Sequence, residues 1–366
     1  MPLKTPRRHL GLGTTAGILG PVIASGSFHV RRVGFRAGTD EELTALHAIE
    51  APVAAESGSH RMPRSAASYV AFARKLPSQF NDHAWLAETS GGTPVAAGFC
   101  WSNSGGDPRV MECDVMVRHD HRRQGIGSAL FAVICDETVT EDRSLLTWST
   151  FGAVPAGEAF SRRVGARIGR VNRASELVLA DVDWAMISTW ARAARARQLG
   201  YRLELVDGVF PERLRADAAT FHRIMRTAPR EDLDVDDVIV DAQFVAELDQ
   251  ALVEAGRTRW TVFVRDPAGS CVGGTEVTFE LADPATVFQQ NTGIDPSHRG
   301  LGLAKWVKAA MLERIQRERP QAVRVRTENA VANVAMVVIN DALGFKIIGT
   351  RTEWQADVND LLRALR

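Results

Sequence analysis

Apolar positions along the chain fall into short strand-like runs separated by stretches with helical spacing. Strands are predicted at 30–36, 85–89, 94–101, 110–117 and 145–150, and again at 201–206, 258–265, 271–280, 286–294 and 322–327. Helices are predicted from Asp40, at 128–137, at 184–198 between two Asp residues and Gly200, from Pro211 to about 226, and at 305–317. In the last of these, Leu303, Val307, Ala310, Met311 and Ile315 form one apolar face. The order of elements before residue 183 repeats after residue 200, so the chain is expected to contain one unit twice. The segment 184–199 would be the helical connection between the copies.

The repeat carries a motif. Arg122-Arg123-Gln124-Gly125-Ile126-Gly127 fits R-x-x-G-x-G, and Arg299-Gly300-Leu301-Gly302-Leu303-Ala304 fits it with alanine last. Each copy follows a strand and opens a helix. A second strand, a second helix and a closing glycine come next: 40 residues separate Gly125 from Gly165, and 42 separate Gly302 from Gly344. One such hexapeptide is expected about 0.2 times by chance in a chain of this composition, so the matching context of the two copies carries the signal. Glycines that permit positive φ, at a helix N-terminus rich in unpaired N–H groups, suit a pyrophosphate, and the arginines add positive charge. The pattern is neither a Walker A loop nor a Rossmann fingerprint.

Composition narrows the function classes. With 45% hydrophobic and 24% charged residues, the chain has the profile of a soluble globular protein. Forty-four basic residues balance 44 acidic ones, which argues against a nucleic-acid or membrane partner held by bulk charge. The four cysteines, Cys100, Cys113, Cys135 and Cys271, have no metal-ligand spacing, so they are expected as buried thiols and no metal is expected. Lys4, Arg7 and Arg8 precede a glycine-diluted apolar stretch over 10–24. Residues 1–29 therefore read either as a signal-like leader or as a disordered one, with the folded protein starting near Val30 and a cytoplasmic setting expected for it.

These motifs resemble the GNAT superfamily of acyl-CoA-dependent N-acetyltransferases, in the tandem arrangement of the mycothiol synthases and other actinobacterial members. The second half is the nearer match, through the run from His298 to Ala304, Thr327-Glu328-Asn329-Ala330, Asn333, Met336, Asn340 and Leu343-Gly344-Phe345. Thr227-Ala228-Pro229-Arg230 with Asp232-Leu233 is also similar. The resemblance implies an α/β (α+β) fold of two GNAT-type domains, 30–183 and 200–366, each a mixed, mostly antiparallel sheet flanked by helices. It implies acetyl-CoA as acyl donor, bound in the second half by Thr292, Gly293, Ile294, Arg299, Gly300, Leu301, Gly302, Leu303, Ala304, Asn329 and Asn333. In the first half the corresponding donor residues are Val115, Val117, Arg122, Arg123, Gln124, Gly125, Ile126 and Gly127.

Acyl transfer to an amine needs the attacking nitrogen neutral, so a group must take its proton. Family enzymes often protonate the leaving thiolate with a tyrosine; the matching positions here hold Ser161 and Asn340. The first half carries Glu112 and Asp114 on its loop-proximal strand, where a family base can sit, whereas the second has Gln289 and Asn291. The second half is nevertheless expected to be catalytic, with Glu276 as base and Asn340 at the acid position, and the first to be a degenerate copy that still binds CoA. Glu276 shares a strand face with Thr278 and Glu280, so it also reads as a solvated strand carboxylate. The run Asp232, Asp234, Asp236, Asp237 reads as a solvated loop, or as a collector of a cationic amine. The expected activity is acetyl transfer to a small-molecule amine by a monomer or homodimer. A non-catalytic acyl-CoA-binding module and a protein-lysine acetyltransferase are the alternatives.

Overall fold

The computed structural model describes residues 23–25, 28–58, 65–229, 231–280 and 283–365. The first half contains β1 (Ile23–Ser25), β2 (Phe28–Val33), α1 (Asp40–Glu56), α2 (Ala66–Arg74), β3 (Phe80–Thr89), β4 (Pro94–Asn103), β5 (Val110–Val117), α3 (Ile126–Thr140), β6 (Leu145–Phe151), α4 (Pro155–Arg163) and β7 (Arg167–Val178). Two helices lead onward, α5 (Trp184–Arg192) and α6 (Ala194–Gln198). The second half contains β8 (Arg202–Asp207), α7 (Glu212–Met225), α8 (Ala242–Glu254), β9 (Arg257–Arg265), β10 (Cys271–Glu280), β11 (Thr286–Ile294), α9 (Leu303–Glu318), β12 (Arg324–Ala330), α10 (Val334–Leu343), β13 (Lys346–Asp357) and α11 (Val358–Leu365).

All thirteen strands form one sheet, in the order β1-β2-β3-β4-β5-β6-β13-β7-β12-β11-β10-β9-β8. The pairs β5–β6 and β11–β12 are parallel and every other pair is antiparallel. The halves exchange their last strands. β13 lies against β6 of the first half, and β7 lies against β12 of the second. The cores follow the exchange: Trp354, Ala356, Val358 and Leu361 pack with the first-half cluster around Leu130, Phe131 and Trp148. Leu177, Val182 and Ile187 pack with the second-half cluster around Trp306 and Val307. The residue boundary at 183/200 thus divides the chain but not the sheet.

Two expectations need correction. Strand structure is present ahead of Val30, because Ile23–Ser25 pair antiparallel with Phe28–Val30; residues 1–22, 26 and 27 lie outside the described residues. The single helix expected over 184–198 is broken at Ala193, which takes φ +42° between α5 and α6. Rather than bridging through solvent, α5 packs on α9, with Trp190 under the Lys305 ammonium. Helix α11 packs on α3 in the same way. Among the described residues, no helix is long and apolar enough to cross a membrane.

Candidate active site

In each half the two parallel strands separate after a few residues. β5 and β6 pair from Val110/Leu145 to Cys113/Trp148 and then diverge. β11 and β12 pair only from Thr286/Arg324 to Phe288/Arg326. Past that point an edge of β5 and of β11 has no strand beside it, leaving backbone polar groups available to a ligand. The first cleft measures about 440 Å³ and is walled by Asp114–Val117, Ser149–Phe151, α4 and the glycine turn. The second measures about 280 Å³ and is walled by Thr292–Ile294, the turn, and Asn333, Met336 and Ile339.

The turns have a common construction. Gly125 (φ +84°) and Gly302 (φ +76°) precede the first residues of α3 and α9, and Arg123 (φ +65°) stands where the second copy has Gly300 (φ +80°). The left-handed backbone aims the free N–H groups of the first helical turn into the cleft. The leading arginines line the clefts and also brace the turns. Arg122 Nε donates to the Val117 carbonyl at 3.0 Å, and Arg299 Nε donates to that of Ile294 at 2.9 Å. Their remaining donors reach Glu56 and Thr227 Oγ1 respectively, and Arg122 holds the Glu56 carboxyl below the usual carboxylate range. Each guanidinium therefore locks the strand end to the first helical layer.

The other donor-binding candidates divide into two groups. Val115, Val117, Arg123, Gly125 and Gly127 line the first cleft; Thr292, Gly293, Ile294, Gly300, Gly302, Leu303, Ala304 and Asn333 line the second. Asn333 also caps α10, accepting from Met336 N at 3.3 Å. Ile126 and Leu301 turn into the cores, and Gln124 lies on the surface. Asn329 and Asn340 bond to each other, Nδ2 of Asn340 donating at 2.6 Å, and Asn340 is buried beside the second cleft rather than lining it. Ser161 is likewise engaged, accepting from Trp148 Nε1 and donating to the Gly157 carbonyl. His298 accepts or donates to the Tyr201 hydroxyl at 2.7 Å at the edge of the second cleft.

Glu276 lies elsewhere. Its side chain faces a cavity between the halves, 3.6 Å from Arg259 Nε, and burial pushes its carboxyl up while Arg259 opposes that shift. Arg259 is shared with the buried Asp249. The strand face holding Glu276 and Thr278 is covered by α7 and α8 of its own half, which explains why the carboxylate is neither solvated nor at the second cleft.

The carboxylates of β5 are better placed. Asp114 and Met116 line both the first cleft and the cavity between the halves. Glu112, two residues back on the same face, is exposed and receives a hydrogen bond from Trp101, and the Asp114 and Glu353 carboxylates beside it raise its carboxyl. The strand position was legible in the sequence, but its place in the lining of two spaces was not. The acidic run is a clasp: Asp236 N donates to Asp107 Oδ2, Ile239 N to the Gly105 carbonyl, and Arg226 pairs with Asp237. All four cysteines are buried and unpaired, and burial raises the Cys113 thiol, so it is no nucleophile for the first cleft. His83, Glu137 and Glu141 lie within metal-ligand reach of one another, but Arg32 and Arg143 already meet those carboxylates.

Comparison with known proteins agrees with this geometry. The acetyltransferase (GNAT) family profile matches residues 46–160, in the first half rather than in the half whose motifs read as the nearer resemblance. No curated protein matches the chain. Among solved structures, a tandem GNAT protein from the clavulanic acid biosynthesis pathway is 25% identical, with a TM-score of 0.73 over 90% of this chain and 98% of that one. A GCN5-related N-acetyltransferase from Sphaerobacter thermophilus is 12% identical, with a TM-score of 0.58 over 90% of this chain and 96% of that one. Another, from Anabaena variabilis, is 11% identical, with a TM-score of 0.52 over 90% and 73%. The last two share the fold alone. Two splayed parallel pairs, two glycine turns and these matches lead to one conclusion: the chain has the architecture of a tandem GNAT protein, and its residues 46–160 match the acetyltransferase (GNAT) family.

Proposed function

We propose that the protein transfers an acetyl group from acetyl-CoA to the amine of a small molecule, with the chemistry in the first half. The observation that carries this reading is Asp114, whose side chain lines both the first cleft and the neighbouring cavity. The second cleft, whose strand has Gln289 and Asn291 in place of the two carboxylates, would serve as a second donor site. In the reaction, the amine nitrogen attacks the thioester carbonyl, a C–N bond forms and the C–S bond breaks. Asp114 would take the proton from the nitrogen, and the released thiolate would be protonated from solvent, since Ser161 is committed to Trp148 and Gly157. The pathway named for the 25%-identical relative makes a small molecule, which favours a small acceptor over a protein.

The test is release of free thiol from acetyl-CoA across a panel of small primary amines, compared with added proteins. Thiol release with at least one small amine is expected; release with proteins alone would replace this reading with protein acetylation. A pH dependence follows from Glu112. The neighbouring Asp114 and Glu353 carboxylates raise its carboxyl, so it gains its negative charge at a higher pH than an ordinary glutamate, closer to where the amine loses its proton. The rate is therefore expected to rise with pH as Glu112 ionises, and Glu112→Gln is expected to flatten that rise. A profile unchanged by Glu112→Gln would remove Glu112 from the site.

A further inference from the structure

The cavity between the halves, about 560 Å³, lies within the usual size range of a small-molecule site. Its first-half wall is aromatic, with Phe35, Tyr69, Phe99 and Trp101. Its second-half wall combines Leu248 and Leu252 of α8 with Glu276 and Thr278 of β10. The basic side chains facing it are engaged or neutral: Arg257 pairs with Glu280, Arg259 with Asp249, His83 bonds Glu141, and burial lowers His222 to about 4. Asp114 and Glu276 enter from opposite halves, and Glu276 has only a shared, more distant claim on Arg259. A space with aromatic sides and carboxylates from two directions favours a cation carried on an apolar body.

We infer that this cavity is the acceptor site, that both halves build it, and that it takes a primary amine attached to an apolar, ring-sized group. The inference rests on the acyl-transfer reading above and deepens it. Asp114 lines both the cavity and the first cleft, so an amine held there would lie at the residue nearest the donor. The second half then contributes to chemistry in the first by shaping the acceptor wall. It also gives Glu276 a binding role in place of the catalytic one expected for it.

The experiment is calorimetric titration of the full chain with phenethylamine, and with 3-phenylpropionate as the isosteric anion, each in the presence of CoA. Phenethylamine is expected to bind at least tenfold more tightly than 3-phenylpropionate. Thr278→Trp, which fills the cavity, and Leu252→Arg, which adds a cation to a partly exposed wall position, are each expected to weaken it at least tenfold. Neither residue lines a donor cleft, so acetyl-CoA binding should not change. Thr278 is buried, so Leu252→Arg keeps the test valid if the tryptophan variant fails to fold. No phenethylamine binding, or binding unchanged in the folded variants, would overturn the inference. Phenethylamine binding with these sensitivities but no thiol release would sustain the cavity and overturn the transfer. Thiol release insensitive to both variants would do the reverse.

Discussion

Expressed without the rest of the chain, residues 1–183 are expected to be insoluble or unfolded, and co-expression with 184–366 is expected to restore a folded complex. The reason is the strand exchange. In the intact sheet β6 is covered by β13, and truncation leaves β6 as an unpaired edge in the middle of what should be a continuous sheet. The first-half core also loses Trp354, Val358 and Leu361, all at most 1% exposed. Burying a large apolar side chain stabilises by about 1.5–3 kcal/mol, so losing three removes roughly 5–9 kcal/mol. That is comparable with the 5–15 kcal/mol or so by which a whole domain is stable.

The isolated half has one escape, which is to fold β7 back against β6. The repeat spacing shows what that would place in the core. With Gly165 matched to Gly344, Ser175 falls at the position of Trp354. A serine there leaves a hole the size of an indole, and Trp→Ala changes in cores cost about 3–5 kcal/mol. Circular dichroism and a thermal melt of the two fragments, alone and together, check the expectation. A cooperative melt from residues 1–183 alone would show that the half closes on itself.

The sequence pattern located elements better than it located neighbours. β5, β10 and β11 run as expected, from 110–117, 271–280 and 286–294, because each is an apolar run bounded by turn residues. Nothing in β7 or β13 indicates which strand lies beside it, since alternation specifies a buried face and not a partner. The exchange becomes legible only in the packed core, where Trp354 and Leu177 sit in opposite clusters. The break at Ala193 is hidden for a related reason: the Ala/Arg-rich run has good helix propensity, and tertiary packing of α5 on α9 overrides it. The glycine turns were legible because positive φ is a local requirement. The bracing contacts of the arginines beside them were hidden because their partners, Glu56 and Thr227, are more than sixty residues away.

The assignment of chemistry to a half can be decided by one pair of substitutions. Gly125→Glu is expected to lower thiol release at limiting acetyl-CoA, and Gly302→Glu to leave most of it intact. Both glycines take a positive φ with open space where a Cβ would go, so the side chain fits but the backbone conformation is strained by about 1–2 kcal/mol. The introduced carboxylate would also stand at a helix N-terminus facing the pyrophosphate, replacing attraction by repulsion worth about another 1–2 kcal/mol. The repulsion corresponds to roughly 5- to 30-fold in donor affinity at the altered cleft, while the strain lowers stability. Titration with acetyl-CoA should then show two sites in the natural chain and one of them weakened in each variant, since the clefts are separately walled. The variants differ in what turnover survives. Asp114 adjoins the Gly125 cleft and not the Gly302 cleft, so loss of turnover should follow Gly125. If turnover is lost with Gly302→Glu and kept with Gly125→Glu, the second half is the catalytic one, and the base must come from outside its loop-proximal strand, where Gln289 and Asn291 offer no carboxylate.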